Sequence, residues 1–286
     1  MKKVKKRNGQ MSIAIRQFKR NKLAMVGLTV LVLIALACIF QGALAPYDYA
    51  EQNFVEKFAD ISLRHLCGTD QYGRDLFSRI LKGGQISLIV ALSAVMLSAA
   101  IGAVLGTTAA FFGGIYETMV MRLIDILQSI PALLLAAAIS TALGTGTAKS
   151  IIAIGLAQVA VMTRVMYSSA LSLRHQEFFE AARSYGCSKM RVIFKYVIPN
   201  CIAPLIVQMT LRLGICISQI ASLSFFGLGV RPPEPEWGSL LSAGKQFIRQ
   251  YWPIVTFPGI AISLTMISVN LIGDGVRDAL DPRMKR

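Results

Sequence analysis

Charge is what this sequence has least of, and the groups that do chemistry are nearly as scarce. Asp, Glu, Lys and Arg make up 16% of its 286 residues, against about 25% in an ordinary soluble domain, while 54% of the chain is hydrophobic. With a mean hydropathy of +0.56, a water-soluble globule is excluded and lipid is the main solvent. Histidine occurs only at His65 and His175, placed on opposite sides of the predicted membrane, which excludes a His-based metal or general-base site within one chain. The five cysteines, Cys38, Cys67, Cys187, Cys201 and Cys216, form no C-x-x-C pair, so neither a disulfide framework nor zinc is expected. Cys38, Cys201 and Cys216 fall in apolar stretches, where cysteine behaves as a small hydrophobe.

Catalytic motifs are missing too. H-E-x-x-H and G-x-S-x-G do not occur. The stretch Gly144-Thr145-Gly146-Thr147-Ala148-Lys149-Ser150 approaches a phosphate-binding loop, yet Leu143 and Ala148 stand where both glycines belong. No nucleotide site is expected on this chain. Asp125 and Asp274 invite comparison with an aspartyl intramembrane protease. Leu271 replaces the glycine such a motif needs, Ile124 replaces its tyrosine, and Arg122 three residues earlier offers Asp125 a helix-surface ion pair. The expectation is a non-catalytic chain that binds no cofactor and no metal.

What the chain does have is long apolar runs, near 23–44, 86–112, 118–143, 150–172, 201–227 and 252–273. Each is about the 20 residues that a helix needs to cross a bilayer, so six transmembrane helices are predicted. The 30 Lys and Arg outnumber the 15 Asp and Glu, giving a net charge of +15 that would also suit a nucleic-acid binder. Their placement argues for a membrane instead. Nine lie in the first 22 residues, five in 174–200 and four from Asp274 onward, whereas 45–85 balances five basic against six acidic residues. This positive-inside pattern predicts cytoplasmic N- and C-termini. A cleaved secretory signal is disfavoured by the 18-residue length of the first run and by Pro46 directly after Ala45. The organisation read from this is a basic cytoplasmic tail (1–22), a first transmembrane helix (23–44), an extracytoplasmic segment (45–85), a five-helix core (86–273) interrupted by a cytoplasmic segment (174–200), and a cytoplasmic C-terminal tail (274–286).

Within the core, Ser98, Gly102, Gly106 and Ala110 recur every four residues, a stripe that lets another helix approach closely. Packing inside the bundle and a subunit interface are both open at this point. Pro131 and Pro204 are expected to kink or cap their helices. Segment 174–200 reads as a short amphipathic helix, a break at Gly186 and a second helix toward Pro199. With Phe178 and Phe179 beside Glu180, Arg183 and Lys189, it suits either the membrane surface or a groove on a partner.

These residues carry a resemblance. Glu180-Ala181-Ala182, Gly186 and Pro199 resemble the EAA signature of bacterial ABC importer permeases, although the usual I-x-L-P ending reads Tyr196-Val197-Ile198-Pro199 here. Three further stretches resemble the peptide/nickel class, and within it the dipeptide and oligopeptide C-type subunit. They are Gly68-Thr69-Asp70-Gln71-Tyr72-Gly73-Arg74-Asp75; Leu223-Ser224-Phe225-Phe226-Gly227-Leu228-Gly229-Val230-Arg231-Pro232-Pro233 with Trp237-Gly238; and Asn270-Leu271-Ile272-Gly273-Asp274-Gly275-Val276-Arg277-Asp278-Ala279-Leu280-Asp281-Pro282.

The resemblance implies an all-α permease of the type I importer kind in a bacterial inner membrane. It implies a second permease as heterodimer partner, two ATPase subunits that carry ATP and Mg, and an extracytoplasmic substrate-binding protein. Glu180, Ala181, Ala182, Gly186 and Pro199 would couple this chain to an ATPase. Solutes handled by the class include dipeptides, longer peptides, glutathione-like compounds and nickel or metal chelates.

Two further sets of residues are candidate sites. Asp70, Gly73, Arg74 and Asp75 are polar turn formers on the outer side, available either to the binding protein or to one another. Arg212 lies about twelve residues into the fifth span, where a cation needs an aqueous cavity or an acidic partner. Gln219, seven residues on, shares its helix face. The pair is expected either to line the translocation path, favouring solutes with a carboxylate, or to bond a neighbouring helix. Ile220 stands where related permeases commonly carry an acid. A self-sufficient secondary transporter or channel would instead show inverted repeats or several titratable groups at depth, and only Arg212 is read there.

Overall fold

The computed structural model of the chain describes residues 7–173 and 187–280, with side chains from residue 14 onward. Five helical runs are long and apolar enough to cross a membrane: Lys22–Ile39, Leu76–Phe112, Thr147–Leu173, Lys189–Phe225 and Pro253–Leu280. A bent pair, Gly114–Ser129 and Ala132–Leu143, makes six if counted as one span. Among the described residues there is no strand, only an isolated antiparallel bridge between Thr69 and Asp75.

The helices begin where capping chemistry allows. Helix α1 (Arg7–Arg20) occupies what reads in the sequence as a basic tail, and packs on the last helix of the chain. Asn21 then accepts the N–H of Ala24 at 3.1 Å and starts α2 (Lys22–Ile39), followed by the single turn α3 (Gln41–Leu44). Helix α4 (Leu76–Phe112) starts ten residues before the predicted 86, because the carboxylate of Asp75 caps it. Its first turns hold Arg79, Lys82 and Gln85, too polar for a hydropathy window but good helix formers. At 37 residues it is about 55 Å long, well beyond the roughly 30 Å of hydrocarbon.

The third predicted span is not one helix. Helix α5 (Gly114–Ser129) ends at Ile130, which is extended at φ −94° and ψ 128°, and α6 (Ala132–Leu143) leaves at 94° after Pro131. Proline pushes the residue before it out of the helical region and donates no N–H, so the span breaks here and Pro131 caps α6, one of the two roles expected of it. Helix α7 (Thr147–Leu173) is continuous. After the segment 174–186 the chain resumes as α8 (Lys189–Val192), a π turn (Ile193–Val197) and α9 (Ile198–Phe225), which carries Pro204 inside it. A short helix, α10 (Trp237–Gly244), precedes α11 (Pro253–Leu280). Helix α11 extends past 273, so Asp274, Arg277 and Asp278 lie in its last turns.

The core forms around α4 and α7. Ser98, Gly102, Gly106 and Ala110 are all buried. A Cβ on Gly102 would come within 2.5 Å of the Met162 Cβ, and one on Gly106 within 2.4 Å of the Thr163 carbonyl oxygen. The stripe is therefore packing within one chain, with the backbones of α4 and α7 in near contact. In lipid, where burial of apolar surface gains little, such van der Waals fit is a main source of helix association. Phe18 of α1 and Val276 and Leu280 of α11 line one apolar cavity, so both described ends of the chain lie on the same side of the bundle.

Candidate functional site

On the side away from the chain ends, segment 45–75 closes around the start of α4. Asp70 Oδ1 accepts the backbone N–H groups of Tyr72 at 2.8 Å and Arg74 at 3.0 Å, while Oδ2 accepts Arg74 Nε at 2.7 Å and lies 3.6 Å from Arg79 Nε. Asp75 Oδ2 takes both the N–H and the hydroxyl of Ser78 at 2.7 Å, and its Oδ1 faces His65 Nδ1 at 2.9 Å. Gly73 turns the chain at φ +71°, and a Cβ there would meet the Asn53 carbonyl oxygen at 1.7 Å. Asp70, Arg74 and Asp75 are 3%, 9% and 2% exposed. Of the two readings open for these residues, the pairing one is seen here: the side chains bond one another, neighbouring side chains and backbone donors. The opposite charges of Asp70 and Arg74, four residues apart across a glycine in a left-handed turn, satisfy each other before any partner arrives.

His65, Asp75 and Ser78 have the composition of a hydrolytic triad but not its order. Ser78 donates to the aspartate instead of to the histidine, so the histidine does not address its hydroxyl as a triad requires. The burial of Cys67 beside them, with the charge of Asp75 as the smaller cause, pushes its thiol up to about 11.

Two buried polar links tie the helices together. Glu236, fully buried, accepts the hydroxyl of Ser87 at 2.7 Å and the N–H of Ser239 at 3.1 Å, capping α10, while Trp237 Nε1 donates to the Ile80 carbonyl at 2.9 Å. Together they lock the loop after α9 onto α4. The hairpin at Gly144 and Gly146 is held to the same loop, with the Gly146 N–H on the Gly229 carbonyl at 2.9 Å and Arg231 Nε on Thr145 Oγ1 at 2.5 Å.

The second link joins α7 and α9. Gln158 Nε2 donates to Gln219 Oε1 at 2.8 Å, and Arg212 Nη1 lies 3.5 Å from Gln158 Oε1. Gln219 is 7% exposed and Gln158 is fully buried. Arg212 and Gln219, seven residues apart, thus share a helix face as their spacing predicts, and that face meets Gln158 of α7. Arg212 is half-buried and has no acidic partner among the described residues.

Glu180, Ala181, Ala182 and Gly186 lie outside the described residues. Pro199 is described, in the first turn of α9 directly after the π turn. There the Ile198 N–H reaches back five residues to the Ile193 carbonyl, and Asn200 Nδ2 donates to the Tyr196 carbonyl at 2.7 Å. The wider turn accommodates a proline that cannot donate, so the helix runs unbroken from Lys189 to Phe225.

Sequence reasoning overlooked a further group. Arg164 of α7 pairs with Asp125 of α5 at 2.6 Å, whereas the expected partner, Arg122, is 4.0 Å away. Tyr167 donates to Glu117 in the same groove. The signal was present, since Arg164 is a cation inside the fourth predicted span.

A helical bundle with no strand among the described residues, and with five helices long and apolar enough to cross a membrane, six if α5 and α6 count as one span, defines an all-α multi-pass membrane protein. Residues 102–286 match the binding-protein-dependent transport system inner membrane component, and residues 9–60 match the N-terminal transmembrane domain of oligopeptide transport permease C. The chain belongs to this family of ABC importer permeases. It is 42% identical to the dipeptide transport system permease protein DppC of Alkalihalophilus pseudofirmus, over 95% of this chain and 90% of that one. It is 40% identical to the di/tripeptide transport system permease protein DppC of Pseudomonas aeruginosa (94% and 91% covered). To the glutathione transport system permease protein GsiD of Escherichia coli O6:K15:H31 it is also 40% identical (94% and 89%).

Proposed function

We propose that this chain forms half of the translocation path of an ATP-driven importer for short peptides, together with a second permease. Two ATPase subunits hydrolyse ATP with Mg, and an extracytoplasmic binding protein delivers the solute. Both termini face the cytoplasm, on the side where basic residues concentrate. The observation that carries the substrate class is near end-to-end similarity, at 40–42% identity, to relatives named for dipeptides, di/tripeptides and glutathione. A nickel or metal-chelate solute has no such support.

Coupling runs through 174–200, where Glu180, Ala181, Ala182 and Gly186 dock on an ATPase and Pro199 opens α9. The unbroken helix from Lys189 to Phe225 supports this reading as a lever about 55 Å long. Movement of its inner end reaches the far side of the membrane as a rigid-body shift. Arg212, half-buried beside Gln158, serves the path, and Gln219 serves it only by holding Gln158. Unchanged uptake kinetics in an Arg212→Leu complex that assembles normally would remove Arg212 from the path.

Reconstitution tests the whole reading. Uptake of a labelled dipeptide into proteoliposomes is expected only with both permeases, the ATPases, ATP and the binding protein. Uptake by this chain alone, without ATP, would make it a self-sufficient transporter.

A further inference from the structure

Helix α5 buries only Ile124 among its side chains. Its exposed residues divide cleanly around the helix. Ile115, Met119, Leu123 and Ile126 form an apolar face that is 54–79% exposed. Glu117, Thr118, Met121, Arg122 and Asp125 form a polar face turned toward Arg164 and Tyr167 of α7. Between them lies an open groove of about 400 Å³.

Two carboxylates and two guanidinium groups line this groove, so its charges cancel. Asp125 and Arg164, paired at 2.6 Å, are nevertheless 45% and 49% exposed in their side chains, and Arg122 is 78% exposed. From its start at Thr147, helix α7 carries Arg164 seventeen residues, about 26 Å, along its axis. Measured from that end, Arg164 falls within a hydrocarbon layer of about 30 Å. A half-exposed ion pair at that depth cannot face lipid without heavy cost, so the groove faces water or protein. A packed protein surface would have to strip water from four charges and replace every hydrogen bond. A water-filled groove has no such requirement.

We propose that the groove between α5 and α7 is this subunit's stretch of the aqueous path, and a transit site for the charged ends of a zwitterionic solute. This rests on the importer reading. Glu117 and Asp125 meet an ammonium, and the planar forks of Arg122 and Arg164 meet a carboxylate. In the empty state Asp125 and Arg164 satisfy each other. An arriving solute exchanges one partner for another of the same charge, and the groove's volume falls within the range of small-molecule sites. Such a site binds weakly, as conduction requires.

The test uses the full importer in proteoliposomes with the ATPase side accessible. Thr118→Cys, Met121→Cys and, on the apolar face, Leu123→Cys are treated with a quaternary-ammonium methanethiosulfonate, and each site is read by peptide mass spectrometry. Thr118→Cys and Met121→Cys are expected to react at least tenfold faster than Leu123→Cys. A free dipeptide should protect them, and the same dipeptide acetylated and amidated at its ends should not. Labelling no faster than at Leu123→Cys would mean that protein or lipid fills the groove, and would overturn the proposal. Labelling with equal protection by both peptides, or none, would overturn the zwitterion site. ATP-driven uptake by the unmodified complex is measured in the same vesicles. Its failure sinks the importer reading, while normal uptake with an unreactive groove sinks only the transit site.

Discussion

Asp70, Asp75, Arg74 and Arg79 near the start of α4 and Glu117, Asp125, Arg122 and Arg164 beyond its other end are the same residue types in opposite circumstances. The first set is buried, and its carboxylates are filled by backbone N–H groups, a serine, a histidine and two arginines. The second set is open, with a single close ion pair and room beside it. A buried carboxylate that already takes three hydrogen bonds holds the fold together and has little left to offer a partner. One held mainly by a half-exposed arginine contributes little to stability and stays available.

Substitutions on the two sides should separate these roles, and Asp75→Ala gives the largest expected effect. It removes the cap of α4 and leaves His65 and Ser78 buried without their acceptor. Cap loss of about 1–2 kcal/mol and an unsatisfied buried group of about 1–3 kcal/mol together predict roughly 3 kcal/mol of destabilisation. Thermal unfolding of the detergent-purified protein reads this as a lower midpoint, and an unchanged midpoint would make the outer knot dispensable. Gly73→Ala comes next, at about 2 kcal/mol: strain at φ +71° contributes about 1, and displacement of the Asn53 carbonyl adds to it.

Arg164→Gln should reverse the pattern. Loss of an exposed pair costs less than about 1 kcal/mol of stability, yet the KM for dipeptide uptake should rise about tenfold with assembly intact. A large fall in the unfolding midpoint with normal uptake would place Arg164 among the structural pairs. The last effect, one of reactivity and not of stability or transport, concerns Cys67. With its thiol held at about 11 rather than 9.0, the thiolate that alkylating reagents need is about a hundredfold scarcer near pH 8. Alkylation should stay slow until the pH approaches 11, whereas rapid reaction at pH 8 would show that the knot around Cys67 is open.

Much of this was readable in one dimension. Pro131 marked the break in the third span, and the four-residue spacing of Ser98, Gly102, Gly106 and Ala110 marked a close helix contact. The motif from Gly68 to Asp75 marked an ordered turn. What failed to show was the partner of each polar group. Asp125 has Arg122 within one helical turn, but its close contact is Arg164, 39 residues away. Gln158, with no charge and no motif, carried no signal at all.

By itself the sequence determined the solvent, five of the six predicted spans and the family, because hydropathy sums along a segment and a family motif is local. Only the tertiary structure decided which side of each ambiguous pair holds: the small-residue stripe packs inside the chain, Gln219 turns inward, and Asp70 and Asp75 are used up while Asp125 is not. Saturation of a polar group depends on what other helices bring within 3 Å of it, and no spacing along one helix encodes that.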